Sequence, residues 1–278
     1  MVVLARAGHL PVGVTRAKCD VTDPAQVRGA LAESGCERVI NCAAYTKVDQ
    51  AESEAELAFA INRDGAEIVA RACAQAEIPL CHISTDFVFG QAPNGEPRPW
   101  RVTDIPEPSG VYAQSKRAGE VACQEAGGRL YLVRTSWLYG NSGPNFPLAI
   151  LRAAARHGQL RVVSDQVGAP TWTWELALAI SWLIGTDHFG IHHVCGEGSA
   201  SWYEFAGATL AEAGVEARIQ PVSTAEWGAP APRPSYSVLD SSQFTALGGP
   251  ACSPWRVALA EYLRREREGA VGAALASA

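Results

Sequence analysis

The chain has 278 residues, 47% of them hydrophobic, with a formal net charge of −6, enough to fill a large α/β domain or a domain with a lobe. Its only lysines are Lys18, Lys47 and Lys116, so there is no basic stripe to neutralise a phosphate backbone, and nucleic acid is excluded as a partner. It opens without the charged-then-apolar pattern of a secretion signal and has no apolar run of about 18 residues, so no membrane partner and a cytoplasmic location are expected.

From residue 35 onward, short β-rich apolar runs alternate with alanine-rich stretches, the pattern of a parallel sheet covered by helices. "RVINCAA" (38–44) is expected as a strand. "EAELAFAINRDGAEIVARACAQA" follows as a helix burying Leu57, Ile61, Ile68 and Val69, and "PLCHIS" (79–84) as the next strand. A Pro/Gly-rich loop (91–110) leads into a helix carrying Tyr112 and Lys116, then into strand "LYLVRTSWLY" (130–139). Three βα units in a row predict an α/β fold, a doubly wound, Rossmann-like parallel sheet.

Beyond residue 140 the spacing predicts helix "FPLAILRAAARHG", a strand near "RVVSD", helix "ELALAISWLIG", strand "GIHHVCG" and helix "WYEFAGATLAEAG". A proline-rich segment, "PAPRPSYSVLD", precedes a final amphipathic helix, "PWRVALAEYLRRERE". This region is expected to form a smaller C-terminal lobe that takes the substrate. Residues 1–141 and about 163–195 then make the nucleotide-binding domain, about 142–162 and 196–264 the lobe, and 265–278 a tail. The last ten residues show no periodic face and are expected to fray.

Ligands of a doubly wound sheet bind beyond the carboxyl ends of its strands. At the first such end, "NCAAYT" offers Asn41, Ala43 and Ala44, small enough for a cofactor to approach the backbone, although close packing of strand and helix asks for the same residues. "STDFVFG" places Ser84, Thr85 and Asp86 at a second end, where hydroxyls also serve as turn caps, and "RTSWLYG" places Arg134, Ser136 and Trp137 at a third. Tyr112 and Lys116, at i and i+4, share one helix face. An ammonium beside a phenol stabilises the phenolate and lowers its pKa, making a proton donor and acceptor. An exposed surface pair has the same spacing, but a hydroxyl-bearing strand end one βα unit earlier favours the catalytic reading. The eight cysteines show no CxxC and no paired Cys/His spacing, so no metal site is expected and they read as small buried hydrophobes.

Taken together, "DVTDP", "NCAAYTKVDQAE", "HISTDFVFG", "VYAQSKRAGE", "RTSWLYG", "DQVGAPT" and "RPSYSVLD" resemble the extended short-chain dehydrogenase/reductases, in the branch of the dTDP-4-dehydrorhamnose reductases, over nearly the whole chain. The resemblance implies NADPH as cofactor and a nucleotide-linked 6-deoxy sugar as substrate, with reduction of its 4-keto group, dTDP-4-dehydro-L-rhamnose giving dTDP-L-rhamnose. It implies Thr85, Tyr112 and Lys116 as the catalytic trio: Tyr112 protonates the keto oxygen, Thr85 holds it, and Lys116 lowers the phenol pKa and binds the nicotinamide ribose. Asp20 and Val21 fall at the adenine contact, and Ala43, Ala44 and Tyr45 along the cofactor's middle. Asn62 lies near the active site, and Asp86, Trp137, Asn145 and Arg233 join Thr85 on the substrate side. A homodimer is admitted.

One stretch departs from the family, which begins with a strand, a Gly-rich turn and a helix. Here "LARAGH" resembles the end of that helix and "LPVGVTR" the second strand, so the first strand and its phosphate-binding turn are expected to be missing, with weakened NADPH binding and stability. Either the true chain starts upstream or catalysis has been lost. At the end of "LPVGVTR", Thr15 and Arg16 replace the acid that would favour NAD, and Arg16 suits the 2′-phosphate of NADP. Two other readings are a regulatory subunit on the same fold, like the β subunit of methionine adenosyltransferase, and an NAD-dependent sugar-nucleotide epimerase or dehydratase.

Overall fold

The computed structural model describes residues 1–90, 92 and 97–276, so part of the Pro/Gly-rich loop at 91–110 lies outside the described residues. In chain order, α1 (Val2–Arg6), α2 (Pro24–Ser34), β1 (Val39–Asn41), α3 (Val48–Ala51), α4 (Ala55–Phe59), α5 (Ala66–Gln75) and β2 (Leu80–Thr85) come first. They are followed by α6 (Val111–Glu125), β3 (Leu130–Thr135), β4 (Leu138–Tyr139), α7 (Phe146–Arg156), β5 (Gln159–Val163), β6 (Val167–Gly168), β7 (Thr171–Trp172) and α8 (Thr173–Leu183). The remainder is β8 (Gly190–His193), β9 (Ala200–Ser201), α9 (Trp202–Ala213), β10 (Arg218–Val222), α10 (Thr224–Trp227), α11 (Ser242–Ala246), α12 (Trp255–Arg265) and α13 (Ala270–Ala276).

Four strands form one parallel sheet in the order β1-β2-β3-β8. Its register sets Thr85 opposite Thr135 and Ser84 opposite Arg134, so the carboxyl ends of β2 and β3 finish level. Helices start where their sequences dictate. Asp23 caps α2 and Pro24 takes its first turn, while Ser201 and Glu204 form a reciprocal box at the start of α9. One apolar cluster (Tyr131, Val133, Ile180, Leu183, Phe244) lies against this sheet, and a second (Leu148, Leu151, Phe205, Leu259, Tyr262) fills the lobe, where β5 pairs in parallel with β10. The β10 strand, with Pro221 inside it, has no counterpart among the predicted elements.

One expectation for the N-terminal stretch holds and three others need correction. "LARAGH" enters a helix, α1, which lies along α8 with the His9 ring 3.2 Å from the Ser181 hydroxyl. "LPVGVTR", however, forms no strand. β1 pairs only with β2, Leu10 and Val12 stand exposed, and an extended segment without a neighbouring ladder has nothing to hold it. The run 130–139 is broken at Trp137, whose φ of +45° turns the chain out of β3 before β4. The tail is ordered as α13: Val271 and Ala274, three residues apart, face one way and are buried against α7, and alanine favours the helix.

Leu57 is exposed rather than buried, for a reason that places the site. Between α4 and α5 the helix runs on through a π-helical turn at Ala60–Gly65, and the face turned inward is Ala58, Asn62, Ala66, Val69 and Cys73. Small residues are needed there because α6 approaches closely: a Cβ added at Gly119 would fall 2.0 Å from the Asn62 carbonyl oxygen. Gly119→Ala should therefore destabilise the protein by about 1–3 kcal/mol despite alanine's better helix propensity. Urea unfolding followed by circular dichroism checks this. A midpoint at or above that of the wild type contradicts the close-approach account.

Candidate active site

β2 ends in Ser84 and Thr85 and passes into a single 3-10 turn at Asp86–Val88, with the Thr85 hydroxyl accepting from Phe87 N at 3.2 Å. α6 starts beside it. Gly110, at φ +83°, leaves no room for a side chain between Glu52 and Pro232, and the Glu52 carboxylate accepts from Val111 N at 2.8 Å. From that start, α6 turns Tyr112, Lys116 and Glu120 along one face toward β2. The Thr85 hydroxyl bonds the Tyr112 phenol and donates to Asp86 Oδ1 at 3.1 Å, and the Phe87 ring meets Tyr112 edge-on at 5.6 Å. Lys116, 3% exposed, donates from Nζ to the Ile83 carbonyl at 2.7 Å, leaving two N–H bonds for other partners.

Lys116, Thr85 and Asp86 are buried and Tyr112 is half-buried, so desolvation dominates the electrostatics. Burial lowers Lys116 to about 8, against the nearby Glu120 carboxylate. Burial also lifts Asp86 to about 7, opposed by hydrogen bonds from Ser237 and Thr85. Tyr112 is pushed up to about 12, first by desolvation and then by Asp86, with the Thr85 bond pulling the other way. The expected lowering of the phenol by Lys116 is thus overturned: the ammonium is turned to Ile83, and burial outweighs it.

Beneath the trio lies an ion pair that the sequence reading did not assemble. Burial works against ionisation of Glu120, but Arg134, Ser84 and Arg117 outweigh it and hold the carboxyl below its ordinary range. Arg134 makes two bonds to it, at 2.9 and 2.8 Å, Ser84 one at 2.6 Å and Arg117 one at 2.8 Å. The guanidinium also reaches His193 on β8 at 3.4 Å and stacks over Phe89. Two signals pointed here: Arg134 in an otherwise apolar strand, and Glu120 one further i+4 step after Lys116.

The other named residues divide. Asp86 is buried against Thr85, and Ala43 stands exposed at the end of β1. Ala44 is half-buried, and Tyr45 N is held by Asn62 while its hydroxyl donates to Glu54 at 2.8 Å. Asn62 is 1% exposed, and its amide is committed to Tyr45 N and O and to Ser115. Trp137 stacks on Trp202 with ring centroids 3.4 Å apart. Asn145 caps α7 through Leu148 N and donates to the Gly140 carbonyl, which places it in the lobe. Arg233 pairs with Asp49 at 2.9 Å, adjoining Pro232 at the start of α6. Arg16 is exposed and lies 3.7 Å from Asp20, which accepts from Thr22, and Val21 packs toward Gly65. Among the described residues no cluster of side chains suits a metal ion, and no helix is long and apolar enough to cross a membrane.

Asp86 gives a pH test. A carboxyl whose folded pKa is raised contributes stability that is fully present below its unfolded value, near 4, and is lost as pH rises through about 7. Asp86→Asn, which cannot ionise, should melt at a higher temperature than the wild type at pH 8, by at most about 4 kcal/mol in stability, and the gap should close toward pH 4. Equal pH dependence of the two melting curves would refute a buried, uncompensated Asp86.

Comparison with known proteins matches residues 2–268 to the RmlD substrate binding domain. The chain is 43% identical over 263 residues to the dTDP-4-dehydrorhamnose reductase of Mycobacterium tuberculosis, covering 93% of this chain and 86% of that one. It is 41% identical over 266 residues to the Streptomyces griseus protein of the same name, with 93% and 86% covered. The crystal structure of dTDP-4-dehydrorhamnose reductase from Bacillus anthracis, in complex with NADP, superposes with a TM-score of 0.87 at 37% identity, covering 91% of this chain and 89% of that one.

Proposed function

The chain belongs to the dTDP-4-dehydrorhamnose reductase family, and from that premise we propose that it reduces the 4-keto group of dTDP-4-dehydro-L-rhamnose in the cytoplasm, at the expense of NADPH. The observation that carries this reading is the placement of Thr85, Tyr112 and Lys116 together at the end of β2, with Thr85 and Lys116 buried and Tyr112 half-buried beside Phe87.

The residues present fit the nicotinamide end of the cofactor. Lys116 has two unused N–H bonds for ribose hydroxyls, and Ala43, exposed with only a methyl group, leaves room at the end of β1. Bound NADPH supplies the hydride to the carbonyl carbon. Tyr112, protonated at neutral pH, gives its proton to the oxygen as negative charge develops there, and the Thr85 hydroxyl holds that oxygen in place. Lys116, one helical turn after Tyr112 on α6, would bind the ribose while held by the Ile83 carbonyl. Trp137, stacked on Trp202 beyond the end of β3, and Arg233, fixed by Asp49, form walls for the nucleotide sugar. Asn62 serves this site by clamping the segment that carries Tyr45.

Incubation with NADPH and dTDP-4-dehydro-L-rhamnose should consume NADPH and yield dTDP-L-rhamnose on chromatography. Tyr112→Phe keeps the ring but removes the proton, and turnover should fall by roughly 10²–10⁴-fold with little change in sugar-nucleotide affinity. A variant within threefold of the wild type would remove Tyr112 as the acid. For the cofactor, Arg16 is exposed and loosely paired, free to turn to a 2′-phosphate. Arg16→Ala should reduce the ratio of kcat/KM for NADPH over NADH about tenfold, as expected for loss of one charge-assisted contact. An unchanged ratio places the discrimination elsewhere.

A further inference from the structure

Lys116 is almost wholly buried, and its ammonium rests on one backbone carbonyl. What keeps a cation in such a place is decided by the groups around it. Just past the end of β1 the Cys42 thiol lies near it, and from β2 the His82 ring. From its own helix come Cys123 and Glu120. Desolvation pushes both thiols up, Cys123 to about 12, so neither is an anion at neutral pH. His82, fully buried with Nδ1 on the Asn41 amide, stays uncharged. Of these groups only Glu120 carries negative charge. The same carboxylate is paired with Arg134, which reaches from β3 toward His193 on β8, and with Arg117 on α6.

Glu120 is also the mechanical link. Its two oxygens accept from Ser84, the residue before Thr85, and from Arg134, which pairs with Ser84 across the sheet. The carboxylate therefore fixes α6 against the ends of β2 and β3 one turn below Lys116.

We propose that Glu120 is a positioning residue for the reaction: clamped by Arg134 and Ser84, its buried carboxylate holds the Lys116 ammonium at the end of β2 and supplies its counter-charge. This rests on the reductase reading for its role in turnover, but the behaviour of Lys116 is measurable without turnover.

With only three lysines, protein labelled with ¹³Cε-lysine gives three resolvable signals, and Lys116→Arg assigns the one that matters. The Lys116 signal is followed against pH in the wild type, in Glu120→Asp, in Glu120→Gln, and in Glu120→Gln with Arg134→Gln. The double variant removes both charges and leaves two amides able to bond, so the fold is kept if the single variant proves unstable. Loss of the carboxylate should move the Lys116 midpoint down by about one pH unit, a tenfold change in proton affinity. In the assay with NADPH and the dehydro sugar, the alkaline limb of kcat should move down with it. Glu120→Asp, shorter but still charged, should keep the limb and midpoint near the wild-type position even where kcat falls. A midpoint that stays in place when Glu120 is neutralised, or moves equally in the Asp and Gln variants, overturns the proposal. A wild type that never reduces the sugar, while the midpoint shifts as expected, would instead remove the reductase reading and leave the Glu120–Lys116 coupling standing.

Discussion

Taking a carboxylate and a guanidinium out of water costs several kcal/mol for each ion, and the Glu120–Arg134 pair offsets this only because nearly every polar atom has a partner. Both Glu120 oxygens accept two bonds, and the guanidinium uses its remaining edge on His193 and its face on Phe89. These partners lie on β2, α6, β3 and β8, so the cluster aligns the carboxyl ends of three strands with the helix that carries Tyr112. His193 extends the connection to the Trp100 carbonyl at 3.0 Å, and on the other side Asn41 ties β1 to His82 on β2. A cross-linked floor thus underlies Thr85, Tyr112 and Lys116.

Above that floor, the position of the phenol depends on how close two helices come. Gly119 and the π-helical turn at Ala60–Gly65 let the backbones approach, and Asn62, trapped between them, binds both Ser115 and the Tyr45 peptide. π-Helical turns of this kind gather at functional sites because they rotate one residue out of the regular phase, and here that residue is Asn62. The start of α6 is wedged in the same way, with Gly110 between Glu52 and Pro232. Arg233 and Asp49 then attach the proline-rich segment to α3, next to the acid-bearing helix. Arg233 and Tyr112 therefore share one anchorage.

Much of this was legible in the sequence. The strand–helix alternation, the Tyr112–Lys116 spacing and the hydroxyls at the end of β2 are local patterns, and local patterns survive folding. What escaped depended on partners far along the chain. "LPVGVTR" has the residues of a strand, but a strand exists only where a neighbour completes its ladder, and none does. Leu57 fits a periodic apolar face as well as Ala58 does, and only the approach of α6 decides between them. The C-terminal residues showed no period to the eye, yet Val271 and Ala274 suffice to pack once α7 is there. Asn145 drew notice as a pocket residue and serves as a helix cap, a role that the Pro147 inside "NFPL" already suggested. Glu120 and Arg134 are 14 residues apart and are joined only by the register of β3 on β2.

The low polarity that lifts Tyr112 to about 12 is the same that lowers Lys116 to about 8, and the two shifts suit one direction of chemistry. A phenol that holds its proton firmly is present at neutral pH almost entirely as the acid. It is still far more acidic than the alcohol that forms when a ketone accepts hydride, whose pKa is near that of water, about 15.7. In the proposed mechanism, proton transfer from Tyr112 to the developing oxyanion therefore runs downhill even from the raised value. In the proposed mechanism the phenolate left behind is poorly solvated at this half-buried position, and Lys116, one helical turn further along α6, would be the cation to offset it. In that reading, burial keeps the acid loaded until the oxyanion draws its proton.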